Sequence, residues 1–285
     1  MKKRNQDKNH GIREKTIRKV RCLLSLLFLP LSMAAGQAPA ADDSALNDSN
    51  PRLNDVLVQA RRAVESFWEQ FNSVTCIEKV TQEKLGKQGK VEHAQRSTYD
   101  YLALLEVEKD GLSVEESRVE QRKASQTKKI PMLVTSGVPT LLLIFHPNYR
   151  EDFQYQLDGD QTEGGKRLVK IQFRHVSGMR STTALRLRGK NFPLDIQGTA
   201  WIDVETGAIN RIVAGLAAPM TNMNLKSMQM DVYYSPQKFA SDEDSYWLPS
   251  SATIDIQTER QHWRNIHQYS KYKRFTVKTE DRVSR

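Results

Sequence analysis

The chain has 285 residues, two cysteines and 43 Lys and Arg against 34 Asp and Glu, a formal net charge of +9. Nine of the basic and two of the acidic residues lie before residue 22, so the remainder holds 34 basic against 32 acidic residues, and nucleic-acid binding through net charge is excluded because phosphate recognition needs a concentrated basic surface. Cys22 belongs to the same N-terminal stretch and leaves Cys76 alone behind it, which excludes an intramolecular disulfide once that stretch is removed.

The N-terminus reads as an export signal. Lys2, Lys3, Arg4, Lys8, Arg13, Lys15, Arg18, Lys19 and Arg21 form a basic region, and the leucine-rich run Leu23–Leu31 follows. That run is roughly the length of a signal core and short of the about 20 apolar residues of a membrane span. Ala38-Pro39-Ala40 offers a cleavage site before Ala41, and Ala34-Ala35-Gly36 an earlier one. An uncleaved anchor is the competing reading, because Cys22 to Ala41 carries no charge, although Pro30, Gly36, Gln37 and Pro39 interrupt its second half. Cys22 precedes the apolar run, which argues against lipidation. The expected organisation is a signal peptide over 1–40, a small polar leader over 41–50 and a single domain over 51–280, in the periplasm or secreted.

Leu53, Val56, Leu57, Ala60, Val64, Phe67, Trp68 and Phe71 recur at spacings of three and four, which predicts a helix to about Asn72, with Asn50 as its cap and Pro51 in its first position. Glu65 and Glu69, near Arg61 and Arg62, read as its solvated face. Cys76, among Val74, Ile77 and Val80, reads as a buried, inert thiol. Tyr101 to Val107 reads as a strand. Cleaner alternation appears at Val169, Ile171 and Phe173, at Met228, Met230 and Val232, at Ile254 and Ile256, and at Phe275 and Val277, each with one dry and one wet face as in an antiparallel sheet covered on one side.

Turn chemistry separates these runs: Gly86 to Gly89, Asp110-Gly111, Asp158-Gly159-Asp160, Gly164-Gly165, Glu205-Thr206-Gly207 and Ser235-Pro236-Gln237. A meander of about ten strands follows. The apolar block Val138 to Pro147, bracketed by Pro139 and Pro147, predicts a short helix over 139–146 across the dry face rather than a strand. Arg122-Lys123 and Lys128-Lys129 form a loop-like basic patch. No fixed-period repeat is evident, which disfavours a solenoid or propeller.

Catalytic signals are weak. His93, His146, His175, His262 and His267 show no metal-ligand spacing, and the five-residue step from His262 to His267 puts them on opposite faces of a strand. Nucleophile-elbow, zinc-protease, phosphate-loop and dinucleotide motifs are absent. Asp158, Asp160 and Glu163 depart from calcium-loop order and read as a polar hairpin end. No metal or other cofactor is expected. The distinctive feature is a supply of soft and aromatic side chains on the inner side: Phe67, Trp68, Phe71, Met220, Met223, Met228 and Met230.

The segment Gly198-Thr-Ala-Trp-Ile-Asp-Val-Glu-Thr-Gly207-Ala-Ile-Asn-Arg-Ile212, followed by Met228–Tyr234, Tyr246-Trp247-Leu248-Pro249 and Tyr272-Lys-Arg-Phe275-Thr-Val277, resembles the later hairpins of the periplasmic lipoprotein-carrier superfamily, the LolA/LolB-like outer-membrane lipoprotein-sorting proteins. The local pattern covers 198–277, and the order of elements covers about 51–278. The resemblance implies a half-barrel closed by helices over a hydrophobic cavity for lipids or lipid-modified proteins, with no catalytic residues. The combined expectation is an α+β fold in which a strongly curved antiparallel sheet of about ten strands covers an N-terminal helix and a short inserted helix. Its non-enzymatic role is to bind a lipid or lipoprotein acyl chain in a cavity lined by Phe67, Trp68, Phe71, Leu142, Phe145, Met228, Met230 and Val232. The chain is expected to be a monomer, with an envelope protein as a possible further partner. An interaction or sensor module with a filled core, or a hydrolase using His175, His262 or His267, is the alternative, and an outer-membrane barrel is disfavoured by charge on nearly every polar face.

Overall fold

Helix α1, Pro51–Phe71, forms where the three-and-four spacing places it, and Leu53, Val56, Leu57, Ala60, Val64, Phe67 and Phe71 make one buried stripe. Asn50 caps it: the side-chain oxygen accepts from the Leu53 N–H at 3.3 Å, and Pro51 fills the first position, where no N–H is needed. Glu65 and Glu69 face solvent. This computed structural model describes residues 50–108, 111–121, 135–187, 190–239 and 245–275. The expected signal, positions 41–49 of the leader, the basic cluster at Arg122, Lys123, Lys128 and Lys129, and positions 276–280 lie outside the described residues.

The strands are β1 Val74–Leu85, β2 Val91–Glu108, β3 Gly111–Glu120, β4 Phe153–Glu163, β5 Lys166–His175, β6 Ala184–Leu187, β7 Lys190–Pro193, β8 Ile196–Asp203, β9 Ile209–Leu216, β10 Leu225–Lys238, β11 Ser245–Thr258 and β12 His262–Arg274. Ten of them form one antiparallel sheet in the order β3-β2-β1-β12-β11-β10-β9-β8-β5-β4, while β6 and β7 pair as a separate hairpin. Seven of the nine sheet pairings join strands that follow one another in the chain; the exceptions are β1 with β12 and β5 with β8. The sheet does not close, because β3 and β4 remain its two edges. The architecture is therefore the curved α+β half-barrel expected from the sequence.

Two expectations need correction. Asp158-Gly159-Asp160 does not end a hairpin but sits within β4, where the register with β5 shifts between Leu157 and Asp160; the turn is made by Gly164-Gly165, both at positive φ. Ser235-Pro236-Gln237 is not a turn either. It continues β10, with Pro236 opposite Trp247, and is tolerated because β9 pairs only with Gln229 to Tyr233, so the proline faces no ladder on that side. The alternation at Phe275 and Val277 runs past the described residues, whose last strand is β12, His262–Arg274. Its inner face carries Trp263, Asn265, His267 and Tyr269, all buried, so polar side chains on the dry side hid the alternation. The same effect hid β1, whose inner face holds Cys76 and the wholly buried Glu78.

The concave face is covered by two elements. Helix α1 lies against β2 and β11. The block Val138–Phe145 is a 3-10 helix, buried at all eight positions, packed on α1, β9, β10 and β11. It therefore crosses the dry face of the sheet as the bracketing prolines implied.

The turn between β8 and β9 presses on the helix. Gly207 sits at φ 71°, and a Cβ there would lie 2.6 Å from the Gln59 carbonyl oxygen of α1. Gly207→Ala therefore meets both left-handed strain and a backbone clash. It is expected to destabilise the fold by about 3 kcal/mol, read as a lowered urea midpoint with unchanged slope.

Candidate functional site

The concave face divides into an apolar half and a polar wall. The apolar half is built by alternation: Ile171 of β5, Ala200 of β8, Ile212 of β9, Val232 of β10 and Ala252 of β11 all point inward and are essentially inaccessible. Onto this floor pack the aromatic residues of α1 and the 3-10 block. Phe67 stacks on Phe71 with ring centres 4.9 Å apart and meets Tyr234 edge-on at 6.2 Å. Phe145 lies 5.2 Å from Tyr155 and 6.3 Å from Phe173. Such offset and edge contacts are the favoured aromatic geometries.

Seven of the eight candidate residues, Phe67, Phe71, Leu142, Phe145, Met228, Met230 and Val232, belong to this one buried cluster, and Trp68 is packed against it half-buried, its ring 5.5 Å from that of His146. Met220 and Met223 also pack against the cluster. The side chains selected from the sequence thus belong to, or pack against, one buried cluster on the concave face.

The 3-10 block is held to the sheet by two hydroxyls. Tyr234 of β10 accepts from the Leu142 N–H at 3.2 Å, and Tyr155 of β4 donates to the Ile144 carbonyl. Burial pushes both phenols up from their ordinary value, keeping them protonated. No strand pairs with residues 138–145. Eight consecutive residues are long for a 3-10 helix, whose hydrogen bonds are poorer than those of an α-helix.

The polar wall lies on β12, β1, β2 and β3. Arg118 of β3 grips the buried Glu78 carboxylate of β1 with Nε at 2.5 Å and Nη2 at 3.1 Å, and reaches Glu116 at 3.0 Å. Tyr101 donates to Glu116 at 2.6 Å, and the Arg118 guanidinium lies over its ring. His267 of β12 places Nδ1 2.8 Å from Glu78 Oε1 and Nε2 3.0 Å from the Thr135 hydroxyl, which also accepts from Asn265 at 3.2 Å. Burial alone would raise the Glu78 carboxyl, but hydrogen bonds from His267 and Arg118 outweigh it and hold the group below its ordinary value. Burial likewise opposes the charge of Arg118, and its bond to Glu78 with the charge of Glu116 overrides that.

Sequence reasoning missed this cluster, since Glu78, Arg118 and Thr135 are far apart in the chain and match no motif. A glutamate in the same alternating phase as Val74, Cys76 and Val80 was the available signal. The three histidines weighed for catalysis do not converge: His175 faces Asp195, His262 faces Asp255 and His267 faces Glu78. As their spacing implied, His262 and His267 lie on opposite faces of one strand, with His267 buried. Cys76 is buried, and desolvation pushes its thiol up to about 12, leaving it protonated and unreactive at neutral pH. Among the described residues no group of His, Cys, Asp and Glu is arranged to hold a metal, and no helix is long and apolar enough to cross a membrane.

No family model and no curated protein matches the chain in sequence. Several solved structures are similar to it. A DUF1329 family protein from Desulfovibrio piger is 11% identical with a TM-score of 0.43, the match covering 80% of this chain and 95% of that one. A putative outer membrane lipoprotein-sorting protein domain from Vibrio parahaemolyticus is 9% identical with a TM-score of 0.43, covering 79% and 94%. A LolA superfamily protein from Nitrosomonas europaea is 10% identical with a TM-score of 0.37, covering 79% and 99%. Two of the three, the lipoprotein-sorting domain and the LolA superfamily protein, carry names of the superfamily that the 198–277 pattern resembles.

Removing Arg118 leaves a buried carboxylate without its countercharge. Arg118→Leu is therefore expected to cost about 3–5 kcal/mol in urea unfolding at pH 7. Because the folded Glu78 carboxyl titrates below its unfolded value of about 4.3, its contribution is present above that value and is lost as pH falls through the lower, folded one. The stability gap between the wild-type protein and Glu78→Gln, measured as urea midpoints from pH 7 to pH 3, is expected to narrow below about pH 4.3.

Proposed function

We propose that this protein binds the acyl chain of a lipid or lipid-modified protein between the concave face of its half-barrel and the covering block Val138–Phe145, in the periplasm or outside the cell, without catalysing a reaction. The observation that carries this reading is the nature of the cover. A wholly buried 3-10 segment, apolar but for Thr140, is tied to the sheet by two tyrosine hydroxyls and, among the described residues, by no strand ladder.

Moving the cover costs less than moving a strand. A strand leaving a sheet gives up a ladder of backbone hydrogen bonds, whereas this block gives up two bonds to side chains, each worth about 1 kcal/mol net. The larger loss is apolar burial, at roughly 25 cal/mol for each square ångström exposed to water. An acyl chain entering as the block moves restores that burial, so the ligand supplies what the opening costs. Phe67, Phe71, Leu142, Phe145, Met228, Met230 and Val232 are the side chains such a chain would touch, with Trp68 at their margin beside His146. The methionines suit a ligand of variable shape, since an unbranched thioether side chain adapts to irregular surfaces. Placement in the envelope rests on the basic region and apolar run before residue 32.

A second reading has its own observation. The concave face is already occupied by the protein's own aromatic rings and 3-10 block, as in an interaction or sensor module with a filled core.

The two readings separate in one experiment. Native mass spectrometry of protein purified without detergent is expected to show a co-purified lipid, and delipidated protein is expected to take up N-phenyl-1-naphthylamine with a rise in fluorescence. Protein that is free of lipid and fails to enhance the probe would show the filled-core reading to be correct. Tyr234→Phe and Tyr155→Phe each release one tether of the block. Each is expected to cost about 1 kcal/mol of stability and to speed probe uptake in stopped-flow measurements.

A further inference from the structure

The polar wall holds more hydrogen-bonding capacity than the fold uses. Tyr269, on the inner face of β12 beside His267, and Ser97, on the inner face of β2 opposite Val80, are both over nine-tenths buried, and neither hydroxyl has a hydrogen-bond partner among the described residues. Buried hydroxyls without partners are rare in a structural network, because leaving such a group unsatisfied costs stability with no compensating contact. On the same wall the His267 ring and the Asn265 amide face Thr135, three residues before the covering block.

Glu78 is an ionised carboxylate held by Arg118 and accepts from His267 Nδ1–H. On the other side of the ring, Nε2 faces the Thr135 hydroxyl at 3.0 Å. The same oxygen accepts from the Asn265 amide nitrogen at 3.2 Å. A hydroxyl suits this position, because it can donate to or accept from the ring nitrogen while accepting from the amide. The surrounding charge agrees. Arg118 is already shared between Glu78 and Glu116, so a carboxylate or phosphate entering the wall would meet two carboxylates and its desolvation would go uncompensated.

We propose that the wall formed by His267, Asn265, Tyr269 and Ser97 is the head-group site of an acyl ligand whose head is neutral and bears a hydroxyl, and that Thr135 occupies this site in the ligand-free protein. This rests on the acyl-binding reading above and adds the identity of the ligand's polar end. The ligand's hydroxyl replaces the Thr135 oxygen between His267 and Asn265, and Tyr269 and Ser97 serve its remaining polar atoms. Because the head displaces the residue that leads into Val138–Phe145, occupation of the wall and movement of the cover belong to the same event.

The test compares three probes with one acyl chain and different heads: 1-monooleoylglycerol, methyl oleate and oleate. Affinities are read by displacement of N-phenyl-1-naphthylamine from the delipidated protein at pH 7.5. The expected order is monooleoylglycerol tightest, by about tenfold over methyl oleate, with oleate weakest; tenfold corresponds to about 1.4 kcal/mol. His267→Phe is expected to bring monooleoylglycerol down to the level of methyl oleate while leaving methyl oleate unchanged. Thr135→Val removes the competing hydroxyl with little change of shape and is expected to tighten monooleoylglycerol alone, which keeps the test decisive if His267→Phe does not fold. Equal affinity for all three probes in the wild type, or tightest binding of oleate, would overturn the head-group site while leaving the acyl-binding reading intact. Binding of none of the three, with no response to the naphthylamine, would instead remove the acyl-binding reading itself.

Discussion

A sheet that curves through ten strands without closing creates one concave apolar face that must be covered, and the rest of the molecule follows from that demand. The 21-residue helix α1 supplies a single buried stripe, which reaches β2 and β11. The area over β9 and β10 is left to Val138–Phe145. That division explains the composition of the block. It faces α1 on one side and the sheet on the other, so no position along it can be polar without a partner, and Thr140 meets the requirement by returning its hydroxyl to the Gly137 carbonyl at 2.9 Å.

The wall on β12, β1, β2 and β3 departs from this pattern. Its inward positions carry Asn265, His267, Glu78, Tyr101 and Arg118, and the ion pair there is nearly removed from solvent. A buried pair of this kind adds little net stability over apolar residues of similar volume, but breaking it is costly. Its effect is to discriminate between registers: a one-residue slip of β3 or β12 turns Arg118 or His267 outward and deprives Glu78 of that partner. The polar residues of the wall thus specify the pairing of β1 with β12, the first and last described strands.

The sequence is legible where side chains obey the period of their element. Asn50, Pro51 and the stripe from Leu53 to Phe71 announce α1 and its cap, and β5, β10 and β11 alternate cleanly. The 198–212 hairpin carries its turn residues in view. Legibility fails where function or register competes with hydropathy. In β1 and β12 the buried positions hold Glu78, Asn265 and His267, so the dry face does not look dry. Pro236 and Asp158-Gly159 look like turns because the residue types are those of turns; whether a neighbouring strand demands their N–H groups, or a bulge absorbs the extra residue, is decided by tertiary pairing that no local window contains. The apolar half of the candidate site was therefore visible from composition, and the polar half was not, because its members meet only after β1, β3 and β12 are side by side.

The pairing of β1 with β12 has a temporal consequence. Val74 lies opposite Arg274, so the seam between the three strands β3-β2-β1 and the seven that begin at β12 joins strands separated by nearly the whole described chain. Contacts of that sequence separation form late, since the entropy of closing the intervening loop is spent before any contact rewards it. Until β12 arrives, β1 has β2 on one side only and the Glu78 carboxylate lacks His267, so a growing or threading chain holds two unjoined pieces of the sheet rather than a native-like core. The last described strand acts as the keystone of assembly, and the native state waits on its arrival.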